Sequence, residues 1–118
     1  MALIRTGGGA AYPDKYYYRV GQAGIANGYF YKNGISDTVH HSDTLPSDVG
    51  FATIVANNTM TIVEAGTYQI ISLSVNVTTG ATTVDRSTIV TKAVGETIDT
   101  NHNASNNDAY VVSVVKIA

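Results

Sequence analysis

Tyr110-Val111-Val112-Ser113-Val114-Val115-Lys116-Ile117 is the stretch whose reading decides the fold. Valine is stiff at χ1 and packs best on a pleated surface, so this run reads as a β-strand. Side chains on a strand alternate between its two faces. Here both faces are apolar, which places the strand at the centre of a sheet, covered on both sides.

Working outward, the same logic finds other strands. Thr67 to Val77 forms a long one, with Tyr68 and Ile70 on one face and Ile71, Leu73, Val75 and Val77 on the other. The apparent change of phase between Ile70 and Ile71 predicts a β-bulge there, or burial of both faces. Thr59-Met60-Thr61-Ile62-Val63 alternates polar and apolar. Phe51 to Ala56, Ala81 to Thr91 and Thr97 to Asp99 complete the second half. Turns at Asn57-Asn58, Glu64-Ala65-Gly66, Thr78-Thr79-Gly80 and Val94-Gly95-Glu96 separate them. In the first half, Lys15 to Val20 and Gly28 to Lys32 are aromatic strands, with a turn-rich segment from Gly21 to Asn27 between them. Ser36 to Gly50 and Thr100 to Asp108 read as long polar loops. No apolar stripe at helical spacing occurs. About eight short strands with regular turn signals predict an all-β chain, an antiparallel β-sandwich.

Residues 1–12 are expected to form a flexible N-terminal arm, because Thr6-Gly7-Gly8-Gly9-Ala10-Ala11 offers little side chain to pack. Residues 13–118 form a single sandwich domain. Charged residues make up 14% of the 118, net charge is −2, and no block of Lys and Arg occurs. That composition argues against a nucleic-acid or membrane partner. The chain has no cysteine, so no disulfide framework is expected. The start Met1-Ala2-Leu3-Ile4-Arg5 does not read as a secretory signal, so synthesis in a cytosol is expected.

Chemistry-bearing motifs are sparse. His40-His41-Ser42-Asp43 is the one cluster of ligand types, with Asp37, Asp48 and His102 as further donors. Adjacent histidines on an extended chain point to opposite sides, so a shared metal is not expected. No nucleophile elbow, paired carboxylates or phosphate loop is present. The chain is read as non-enzymatic and without a cofactor. Tyrosines in excess of what one small core uses suit an interface. Tyr16, Tyr18, Tyr29, Tyr31 and Tyr110 are the candidates for a subunit contact, and Leu3, Ile4 and Arg5 for a tether.

From Phe51 onward the order of features resembles the C1q/TNF-like jelly roll. The likeness rests on the aromatic-led strand at Phe51, the Gly-x-Tyr step Gly66-Thr67-Tyr68, the Gly-Glu turn at Gly95-Glu96 and the final strand at Tyr110. It covers a little over half the chain. The tyrosine-rich first half departs from it. The opening Met1-Ala2-Leu3-Ile4-Arg5-Thr6-Gly7-Gly8-Gly9 resembles small bacteriophage virion proteins. Together these resemblances imply a jelly-roll-like homotrimer, assembled in a bacterial cytoplasm and carried on a virion. It would serve as a capsid decoration, head-fibre or tail accessory subunit beside other virion proteins. A receptor-binding tip is the alternative, with loops 36–50 and 100–109 recognising a host-surface glycan.

Overall fold

The computed structural model describes residues 5–6, 9–10, 15–22, 25–34, 36–55, 59–101 and 108–118. Among the described residues, eleven strands run in chain order: β1 Arg5–Thr6, β2 Gly9–Ala10, β3 Tyr16–Gln22, β4 Ile25–Lys32, β5 His40–Ser42, β6 Ala52–Val55, β7 Thr59–Ile62, β8 Gly66–Asn76, β9 Thr82–Lys92, β10 Thr97–Asp99 and β11 Asp108–Lys116. The chain is an antiparallel β-sandwich. One sheet has six strands in the order β5-β4-β3-β11-β8-β9, and the other has three in the order β10-β7-β6. Strand β11 pairs with β3 on one side and β8 on the other, which is the central place its valines call for.

The small sheet shows why these residues make strands. Ala52 and Ile54 on β6, Met60 and Ile62 on β7, and Ile98 on β10 are buried, while the residues between them reach solvent. Ala52 pairs with Ile62, and Ile54 and Ile98 both pair with Met60, so all five share one face. They pack on Tyr17, Tyr29, Tyr68, Ile70 and Val114 of the large sheet, with Val49 and Phe51 closing one side. Phe51 tilts against Tyr68 with ring centroids 5.3 Å apart. The Tyr68 hydroxyl, deep in this contact, donates to the Glu64 carbonyl.

Three local expectations are corrected. The stretch from Ser36 to Gly50 is not all loop. Strand β5 lies within it and pairs with β4, His40 opposite Tyr31 and His41 opposite Phe30. Pairing with an existing strand recruits a polar segment that has little strand character of its own. The expected turn-rich segment from Gly21 to Asn27 is shorter, since β3 continues through Gln22 and β4 begins at Ile25. Finally, β8 has no break at Ile70 and Ile71, because its register with β11 is continuous. Tyr68, Ile70 and Ser72 all face inward and are buried. The irregularity lies on β9 instead: Ser72 pairs with Arg86 and Leu73 with Val84, leaving Asp85 as the extra residue of a bulge.

In the N-terminal segment, Arg5–Thr6 and Gly9–Ala10 pair as a small ladder that belongs to neither larger sheet. Leu3 and Ile4 lie outside the described residues.

Candidate functional site

The two faces of the six-stranded sheet differ in kind, and the pairing register says which residue lies on which. Tyr17, Arg19, Tyr29, Tyr31, Tyr110, Val112 and Val114 share the inner face. Tyr16, Tyr18, Val20, Phe30, Val111 and Val115 share the outer face, which continues through Ile71, Leu73 and Val75 on β8 and Val84 and Ile89 on β9. The three-stranded sheet covers the inner face only. On the outer face Phe30 is 37% exposed, Val84 61% and Ile89 63%.

Charge is distributed the opposite way from a wet outer surface. Of the Lys, Arg, Asp and Glu side chains on these six strands, Arg19, Arg86, Lys92, Asp108 and Lys116 fall on the inner face by register. Lys32 lies on the outer face at the end of β4, and Asp85 sits in the bulge. The same face also carries Ser113, Gln69, Ser87 and Thr82, and a mixed apolar and uncharged polar face poor in charge has the composition of an interface.

The five tyrosines singled out from sequence do not share one surface. Tyr16 and Tyr18 fall on the outer face by register and lean on each other, with centroids 4.8 Å apart, Tyr16 buried and Tyr18 half-buried. Tyr29 and Tyr31 face inward, where Tyr29 is buried and Tyr31 packs on the core. Tyr110 also faces inward and is buried, under the Arg19 guanidinium, whose carbon lies 5.0 Å from the ring centroid. Arg5 lies in β1.

His40 and His41 do point to opposite sides. His40 stacks on Tyr31 at 5.0 Å, with its Nε2 3.3 Å from Asp37 Oδ1. His41 sits near Phe30 with centroids 6.0 Å apart. The contact with His40 is the main cause holding the Asp37 carboxyl below its usual range, with the Thr38 amide helping.

Sequence reasoning missed a polar group inside the sandwich. Tyr17 and Arg19 stand two apart on one face of β3, and Tyr110 and Asn27 reach in from β11 and β4. The Tyr110 hydroxyl donates to Asn27 Oδ1, and Asn27 Nδ2 donates to Tyr29 Oη at 3.4 Å. Gly21 makes room for this: a Cβ there would lie 2.6 Å from Tyr110 Oη and closer still to Asn27 Oδ1. Burial pushes the Tyr17 hydroxyl pKa well up, with Arg19 pulling it partly back. The alternation Tyr17-Tyr18-Arg19 was a usable signal, since it puts a cation on the same face as a core tyrosine.

At the opposite end, Glu64 gathers two lysines. Lys15 Nζ bonds Glu64 Oε2, and Lys116 Nζ lies 3.6 Å from Glu64 Oε1. The bond from Lys15 is the main cause that lowers the Glu64 pKa. This cluster ties the start of β3 and the end of β11 to the β7–β8 connection.

In comparisons with known proteins, no family model, no curated protein and no solved structure matches this chain.

Proposed function

We propose that the chain is a non-enzymatic structural subunit that works by associating with copies of itself. The observation that supports this reading is the outer face of the six-stranded sheet, poor in charge and with large apolar side chains exposed at Phe30, Val84 and Ile89. Five inter-strand spacings by four rows of outward side chains give a face of roughly 500 Å² in projection. Side-chain relief raises that toward the ~800 Å² each partner contributes to a standard interface. A neighbouring subunit would cover the exposed Phe30, Val84 and Ile89. The fuller reading is a homotrimer on a virion, a bacteriophage decoration, head-fibre or tail accessory protein. Its anchor is the N-terminal segment with Leu3, Ile4 and Arg5, and its contacts include the half-buried Tyr18, with Tyr16, itself buried within the chain, behind it.

The test is solution mass by light scattering, for the wild type and for Ile89→Asp. The expected result is a trimer for the wild type and a smaller species for the variant with unchanged far-UV circular dichroism. A wild-type monomer at high concentration refutes self-association. Deleting residues 1–11 is expected to abolish particle binding and leave the oligomer intact. The exposed Phe30 beside His41 gives a second reading some footing, since aromatic rings stack on sugars. A glycan array separates that reading from the first.

A further inference from the structure

The polar group inside the sandwich presents donors without acceptors. Arg19 is 2% exposed. Its Nε and Nη1 are buried with no hydrogen-bond partner, and so is Tyr17 Oη. Asn27 Oδ1 takes the Tyr110 hydroxyl and makes no bond to either of them. Arginine keeps its proton at any ordinary pH, so an enclosed guanidinium remains a full positive charge. The Tyr110 ring meets one flat side of it. That contact eases the charge but accepts no in-plane N–H.

Buried charges are normally paired, and buried donors are normally bonded. No salt bridge of Arg19 to a carboxylate occurs among the described residues. What remains is a buried positive charge on β3 with two unmet N–H donors, beside an unbonded tyrosine hydroxyl. Its complement is a group that is negative, accepts hydrogen bonds and donates none. The enclosure of Arg19 limits that group to a small size.

We propose that Arg19 and Tyr17 form an internal site for a small inorganic anion of chloride size, on the inner face of the six-stranded sheet beside Tyr110. The anion takes hydrogen bonds from the guanidinium and from the Tyr17 hydroxyl. The site stabilises the folded subunit and is independent of the self-association proposed above.

The experiment is thermal unfolding of the full chain in sodium chloride against sodium gluconate at matched ionic strength. Gluconate is too large to enter. A ligand bound only by the folded state raises the midpoint by mass action. The expected result is a rise of several degrees that saturates with chloride and is absent with gluconate. Arg19→Met should abolish the difference between the two salts. Tyr17→Phe keeps the ring and removes one donor, so the chloride concentration at half effect should rise severalfold. Equal responses of the wild type to both salts would mean that water alone meets these donors, and would overturn the proposal. A full chloride response in Arg19→Met would also overturn it. If Arg19→Met does not fold, Tyr17→Phe decides, and a chloride response identical to wild type sinks the idea. In crystals grown with sodium bromide, an anomalous peak within hydrogen-bond reach of Arg19 supports the site. Peaks confined to the surface, an adventitious ion only, count against it.

Discussion

Replacing Gly21 by alanine tests how the polar interior is built. Position 21 lies opposite Tyr110 in the β3–β11 register. A Cβ there meets Tyr110 Oη at 2.6 Å and Tyr110 Cζ at 2.7 Å, with Asn27 Oδ1 closer still. None of these atoms is the free end of a mobile side chain. Tyr110 is buried under Arg19, and Asn27 is tied to both Tyr110 and Tyr29. Alanine must therefore displace the ring and break the Tyr110–Asn27 bond. Overpacking of this kind costs about 1–3 kcal/mol, and a lost hydrogen bond about 1 kcal/mol more. The strand itself gains roughly 0.5–1 kcal/mol from replacing glycine. The net expectation is a loss of about 2–3 kcal/mol. For a chain of 118 residues the unfolding entropy is roughly 250 cal/mol/K, so each kcal/mol shifts the midpoint by about 4 °C. The expected fall is about 10 °C, read by thermal unfolding with near-UV circular dichroism of the tyrosines. A cycle with Tyr110→Val should show coupling of at least about 1 kcal/mol. If Gly21→Ala unfolds within about 2 °C of wild type, the close approach and the reasoning on it are wrong.

Two further outcomes concern titration. Glu64 has its pKa lowered in the fold, chiefly by the bond from Lys15. Its contribution is therefore present above the unfolded value of 4.5 and fades as pH falls through the folded value. Urea midpoints of wild type and Glu64→Gln should differ at pH 7 and converge in acid, and a constant gap across pH would contradict this. Tyr68 is pushed up to about 12 by burial, and Tyr17 is raised further. A raised pKa gives stability that is complete below the ordinary value of 10 and lost as pH climbs through the folded value. Alkaline difference spectra should show these two hydroxyls ionising late and together with unfolding, and Tyr68→Phe should remove part of that late step.

Much of the fold was legible in local pattern. Alternation across Thr59–Ile62 and Thr97–Asp99 announced half-buried strands, and the valines around Ser113 announced a central one. These readings work because a strand's side-chain period is a property of the backbone, independent of distant partners. The candidate surface was legible only in part. By register Tyr16 and Tyr18 fall on the outer face, with Tyr16 buried there, and nothing local separates them from Tyr29, Tyr31 and Tyr110, which turn inward.

What the sequence by itself determined is the strand content, the absence of helix among the described residues, the placing of most turns and the central position of β11. Tertiary structure alone decided which face of each strand looks inward, that His40–Ser42 becomes an edge strand, that the bulge falls at Asp85 rather than in β8, and that Arg19 is enclosed beside Tyr110. The physical reason is range. Those outcomes depend on pairings such as Arg19 with Val112 and Ser72 with Arg86. A one-residue slip in any such pairing would exchange the two faces of a strand, and only the packed sheets fix the register.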